Sequence, residues 1–144
     1  MSVVQILVVD DSLLWQRFVQ SHLGIAPELK VISVAADGSE GVQKAKELQP
    51  DVILMDVSLP AMNGIEATRQ IRRISPRSKI LFLSMLNEIE VIQAAFEVGG
   101  SGYVFKWDAG RDLILGIRAI LLGQRFVSQS LTGRHGSSNP GSKS

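Results

Sequence analysis

The sequence predicts an α/β fold of the (βα)5 type, a doubly wound, five-stranded parallel sheet with helices on both faces. Three observations carry the prediction. Short runs that are apolar at every position recur along the chain, as strands buried on both faces require. Each is followed by a stretch with apolar residues at helical spacing. The connections between them are short, so successive strands join by helical crossovers and run parallel.

Ile6-Leu7-Val8-Val9 forms the first strand and is closed by Asp10-Asp11. Ser12 to Leu23 places Leu14, Phe18, Val19 and Leu23 at helical intervals, with Gly24 as a stop. Val31 to Ala35 is the second strand. Asp37 stands three residues before Glu40, a capping-box-like start to a helix that ends before Pro50. Val52-Ile53-Leu54-Met55 is the third strand and ends at Asp56. Asn63 with Glu66 repeats the capping pattern, and Ile65, Ile71 and Ile74 lie near one face of the next helix. Ile80 to Leu83 is the fourth strand, ending at Ser84. Glu88 to Val98 is helical, stopped by Gly99-Gly100. Tyr103-Val104-Phe105 is a short fifth strand ending at Lys106. Leu113, Ile114, Ile117, Ile120 and Leu121 form a last apolar stripe, stopped by Gly123.

A domain covering residues 1–123 is therefore expected, with 124–144 as a linker and tail. From Gly133 onward the chain has no acid or aliphatic residue and is rich in Gly and Ser, so it is expected to be disordered toward the C-terminus. At 144 residues the chain can bury a core without disulfides, and it has no cysteine, which excludes thiol nucleophiles, cysteine zinc sites and iron–sulfur clusters. The longest apolar runs are four residues, far short of the roughly 18 of a membrane span. No secretory signal precedes the first strand, so a cytoplasmic setting and no membrane partner are expected. A formal net charge of +1 decides nothing about nucleic acid. No G-x-x-x-x-G-K-[ST] string is present, which excludes a Walker-type nucleotide site.

In parallel α/β sheets the ligand site lies outside the carboxyl ends of the strands. Those ends deliver Asp10, Asp11, Asp56, Ser84 and Lys106. Clustered carboxylates repel unless a cation neutralises them. A hard oxygen site with open positions suits Mg2+ completed by phosphate. Lys106 would pair with a phosphoryl oxygen, Ser84 would hydrogen-bond another, and a carboxylate can itself be the nucleophile.

The strings VVDDS (Val8–Ser12), MDVSLPAMNG (Met55–Gly64), LSM (Leu83–Met85) and GYVFK (Gly102–Lys106) resemble the receiver domain of bacterial two-component response regulators. The resemblance spans about residues 4–122. The wording SGYVFK and AILLGQRFVS is most similar to receivers of regulators carrying a LuxR-type helix-turn-helix. It implies a flavodoxin-like receiver fold and a phosphorylation-activated switch. Asp56 would be the phosphoacceptor, fed by a sensor histidine kinase. Asp11, Asp56 and the Ser58 backbone carbonyl would ligate Mg2+, with Asp10 acting mainly through a metal-bound water. Lys106 would pair with the phosphoryl group, and Ser84 with Tyr103 would form the switch that repacks the face of the fourth helix, fifth strand and fifth helix. The chain would be the regulatory part of a transcriptional regulator, not an enzyme beyond its own phosphorylation and dephosphorylation. DNA would be bound only through a further C-terminal domain, and phosphorylation-dependent homodimerisation is a further expectation.

This sequence departs from the family in places. Where proline often follows the lysine, frequently after a cis bond, Trp107 stands, so a trans bond and a different local loop are expected. Leu86 offers no group to orient an attacking water.

Other readings weigh less. A phosphorylation-independent interaction module on the same fold would not need Asp56, Asp11 and Lys106 together. A small-molecule aspartyl-phosphate phosphatase needs an acid two residues after its nucleophile, where Ser58 stands. His22 and His135 lack partners at ligand spacing. Arg69, Arg72, Arg73, Arg77 and Lys79 read as a solvated face, and Trp15 and Trp107 as packing residues near the site. Ile92, Phe96 and Ile117 read as core on the helices that a partner would contact.

Overall fold

The structure is a computed structural model that describes residues 2–136. Strands β1 (Val4–Val9), β2 (Leu29–Ala35), β3 (Val52–Met55), β4 (Lys79–Ser84), β5 (Gly102–Phe105) and β6 (Phe126–Val127) alternate with helices α1 (Leu13–Leu23), α2 (Gly38–Leu48), α3 (Gly64–Ile74), α4 (Ile89–Glu97) and α5 (Ala109–Leu121), and α6 (Gln129–Gly136) follows β6. All strands pair in parallel in the order β2-β1-β3-β4-β5-β6.

Alternate strand residues feed two cores. Ile6, Val8, Leu54, Leu81 and Val104 pack with Val19 and Leu23 of α1 and Leu113, Ile117 and Ile120 of α5. Leu7, Val9, Ile53, Phe82 and Tyr103 pack with Ala45 of α2, Ile71 of α3 and Ile92 of α4. Both faces are covered, which is why the strands carry no polar alternation.

Helix starts follow the capping residues read from the sequence. Ser12 Oγ accepts from the Trp15 N–H at 3.3 Å, Asp37 Oδ1 from Glu40 N–H at 2.7 Å, and Asn63 Oδ1 from Glu66 N–H at 2.9 Å. The stops differ in kind. Gly99 takes a left-handed φ of 111°, as a glycine stop should, whereas Gly24 ends α1 at a right-handed φ of −59°.

The sheet has six strands where five were predicted, and ordered packing runs past the boundary drawn at residue 123. The cause is tertiary. Beyond Gly123 the chain turns back along β5, placing Phe126 beside Gly102 and Val127 beside Tyr103. The Ser128 N–H donates to the Tyr103 carbonyl at 3.0 Å, and Ser128 Oγ accepts from the Phe105 N–H at 2.9 Å. Leu131 is buried in the Tyr103 core, and the Arg125 guanidinium lies 3.7 Å over the Phe96 ring of α4. The four residues from Gly133 fall in the last turn of α6, and the rest of the stretch expected to be disordered, 137–144, lies outside the described residues.

Ser128→Ala would leave the Phe105 N–H without its partner at a part-buried site where Ser128 itself is fully buried. An orphaned buried donor costs about 1–3 kcal/mol, so a thermal midpoint lower by roughly 3–8 °C is expected, read by calorimetry. No change would show that this hydroxyl does not hold the segment.

Candidate functional site

Chain order reverses on either side of β1, since β2 lies to one side and β3 to the other. A crevice opens at such a point. Asp10 and Asp11 follow β1 and Asp56 follows β3, so neighbouring strands place their acids there. The Asp10 N–H donates to the Ala35 carbonyl and the Asp56 N–H to the Val9 carbonyl, each at 3.0 Å, which continues the ladders one residue past the strands.

Asp10, Asp56 and Lys106 are 3%, 6% and 5% exposed, and Asp11 is exposed at the rim. The Lys106 Nζ lies 2.8 Å from Asp10 Oδ2 and 3.1 Å from Asp56 Oδ2. Asp10 is fixed further by the Ser12 N–H, which donates to its Oδ1 at 2.9 Å, and by Gln16 Nε2, which donates to its carbonyl at 2.6 Å. One carboxylate oxygen from each of Asp10, Asp11 and Asp56 falls within 4.8 Å of the others.

Burial raises the Asp56 carboxyl above its ordinary value of 3.8, the Lys106 ammonium opposes that shift, and the Asp10 carboxylate adds to it. A hydrogen bond from the Ser58 backbone also favours the charged form. Three carboxylates facing one ammonium leave two negative charges uncompensated. The donors are hard oxygens, and Mg2+ fits both the charge and the chemistry.

Ser84 and Tyr103 sit one and two strands away. Ser84 is fully buried at the end of β4, its Oγ accepting from the Leu86 N–H at 3.1 Å. The Tyr103 ring is fully buried beside Phe82, at a centroid distance of 6.1 Å, and its hydroxyl donates to the Leu86 carbonyl at 2.8 Å. Burial pushes the phenol up to about 12, against a Ser84 contact that lowers it. Tyr103 and Ser84 therefore meet at the same short segment after β4. Ser58 is exposed just beyond Asp56.

Sequence reasoning assigned no role in the site to Trp15 or Gln16. The Trp15 ring faces the Lys106 ammonium at 4.9 Å, and only the fold brings these residues together. Trp107, read as packing near the site, is 73% exposed in a 3₁₀ turn spanning Lys106–Asp108. That turn directs the ring outward. The bond before it is trans, since no described peptide bond is cis. Of the basic run, Arg69, Arg73 and Arg77 are exposed, as a solvated face requires, while the Arg72 guanidinium donates to the Ser78 carbonyl at 2.9 Å. His22 stacks on Phe18 with ring centroids 5.2 Å apart.

The family model of the response regulator receiver domain matches residues 6–118. Response regulator GacA of Pseudomonas viridiflava is 34% identical over 128 residues, covering 89% of this chain and 60% of that protein. The nitrate/nitrite response regulator protein NarL of Escherichia coli is 32% identical, covering 88% of this chain and 59% of that one. The chain thus spans about three-fifths of the length of these relatives. A crystal structure of a LuxR-family two-component response regulator from Aurantimonas sp. superposes with a TM-score of 0.87 at 35% identity, covering 92% of this chain and 94% of that one. Among the described residues no helix is long and apolar enough to cross a membrane.

Proposed function

The chain belongs to the response regulator receiver family, and from that premise we propose that it is a phosphorylation-activated switch with Asp56 as phosphoacceptor. The observation that carries this reading is the buried Lys106 ammonium held between Asp10 and Asp56, with Asp11 at the rim. A receiver-like module that worked without phosphorylation would have no use for a costly buried charge cluster.

The donor is a phosphohistidine on a partner histidine kinase. An Asp56 carboxylate oxygen attacks phosphorus in line, an acyl phosphate O–P bond forms, and the N–P bond of the donor breaks, its electron pair returning to the imidazole. Asp11, Asp56 and the Ser58 carbonyl would hold Mg2+, with Asp10 as a further acid of the site, and the ion would neutralise charge on the transferring group. Lys106 opposes the upward shift that burial imposes on the Asp56 carboxyl and then pairs with a phosphoryl oxygen. The Ser84 hydroxyl exchanges its Leu86 contact for a phosphoryl oxygen. Tyr103, tied to Leu86 from the other side, carries that shift toward α4 and β5. Control of transcription, named for some of the longer relatives, is the output proposed for this switch. DNA contact then belongs to sequence outside the shared part, and the setting is cytoplasmic. Exposed apolar residues such as Leu115 and Leu122 on and after α5 suit a homodimer formed on phosphorylation.

Intact mass after incubation with a small phosphodonor tests the reading. Wild type is expected to gain one phosphoryl group only with Mg2+, and Asp56→Asn none. Absence of uptake in folded wild type would overturn it, as would equal uptake by the variant.

A further inference from the structure

We propose that Trp15 is a positioning residue for Lys106, its indole face orienting the ammonium toward the two carboxylates for group transfer. The inference rests on the proposed function for its consequence and on geometry for the contact. The Lys106 Nζ has two polar partners, Asp10 at 2.8 Å and Asp56 at 3.1 Å, and the Trp15 ring centroid stands 4.9 Å away. That is inside the roughly 6 Å over which a cation is attracted to an aromatic face. The ring offers the ammonium a negative surface without a competing hydrogen-bond acceptor, so its N–H donors are left for the oxygens.

Trp15 is itself held on several sides. Its backbone N–H donates to the Ser12 cap, its ring meets Phe18 edge-on at a centroid distance of 5.3 Å, and it packs against the α1–α5 core. Gln16, the next residue, holds the Asp10 carbonyl at 2.6 Å. The first turn of α1 thus fixes both an anion and the cation that pairs with it. Lysine needs such support more than arginine would, because its charge sits on a flexible four-carbon stem. Asp10 stays beside Lys106 before and after transfer, whereas the Asp56 contact must open to admit a phosphoryl oxygen. At that moment the indole face and Asp10 are what keep the ammonium in place.

Two experiments test this. Rates of phosphoryl uptake from a small phosphodonor at saturating Mg2+ are measured on Trp107→Phe as the reference protein and on Trp15→Leu and Trp15→Phe made in that background. Uptake is expected to fall roughly tenfold in Trp15→Leu. Trp15→Phe should recover part of the rate, and replacing Trp15 by tryptophans of increasing fluorination should lower it stepwise without changing shape. A flat rate across the fluorinated series, or uptake by Trp15→Leu at the reference rate, overturns the proposal.

The second is a double-variant cycle of Trp15→Leu and Lys106→Met on unfolding equilibria without divalent cations. Coupling of roughly fivefold or more in the unfolding constant is expected, and strict additivity overturns the contact. If wild type takes up no phosphoryl group at all, the proposed function has failed. The cycle then decides the Trp15 contact alone, coupling supporting it and additivity ending it.

Discussion

Lys106→Met is expected to destabilise the protein by about 3 kcal/mol in cation-free buffer near neutral pH, because it leaves two buried carboxylates without their counter-charge. For a domain of this size that is a fall of roughly 10 °C in thermal midpoint. The dependence on pH has a definite sign. Burial already raises the Asp56 carboxyl above 3.8, and Lys106 is the first of the causes that oppose this, so its removal raises the carboxyl further. A group whose value is raised by folding contributes stability at low pH that is lost as pH climbs through the folded value. The deficit of Lys106→Met should therefore be small at about pH 4 and open progressively upward from the ordinary carboxylate value. Mg2+ should recover part of it by supplying the missing positive charge. Melting curves across pH, with and without Mg2+, check this. A deficit independent of both would mean that Lys106 contributes packing and not charge.

Gly64→Ala is expected to be at least as damaging. The first residue of α3 sits directly against the Asp56 carbonyl oxygen, and an added Cβ would fall well inside contact distance of it and close to the Met55 side chain. A backbone carbonyl cannot swing aside as a side-chain tip can. Either the β3–α3 loop moves, taking Asp56 with it, or α3 is pushed off the sheet. The Gly64 N–H also donates to the Val57 carbonyl at 2.8 Å, so the loop is closed tightly at this point. A loss of about 3 kcal/mol or more follows from overpacking of this kind. Any folded fraction should also take up the phosphoryl group poorly. Gly110→Ala is the control. Nothing lies within 4 Å of a Cβ there, early in α5, and the substitution should stabilise by about 0.5–1 kcal/mol. If both variants melted alike, crowding at Gly64 would not be what holds the loop.

Four of the five predicted strands were legible because each is apolar at every position and ends at a polar residue, a pattern that burial on two faces enforces, whereas β2, at the sheet edge, carries Ser33 within its run. The cluster was legible for the same reason, since strand ends converge wherever the sheet places them. β6 was not legible. Two residues carry no periodicity, and what makes Phe126–Val127 a strand is the pairing of Ser128 with Tyr103 and Phe105, more than twenty residues away. Trp15 and Trp107 carried the same expectation, packing near the site, and only Trp15 meets it, because sequence spacing says that both lie near the strand ends but not which ring turns inward. Backbone strain was equally hidden. Ala61 takes a left-handed φ of 66° in the loop after Asp56, although alanine has no preference for that region. The tight Pro60–Met62 contact at 2.6 Å explains why the loop demands it.

β6 also bears on how the receiver unit can be divided. A chain ending at residue 123 would keep Asp10, Asp11, Asp56, Ser84, Tyr103 and Lys106, and so every group of the chemistry. It would also bare the outer side of β5, with the Tyr103 carbonyl and the Phe105 N–H deprived of Ser128. Open strand borders invite pairing between molecules. The shortened protein would thus betray itself first by poor solubility and self-association, while its phosphoryl chemistry remained intact.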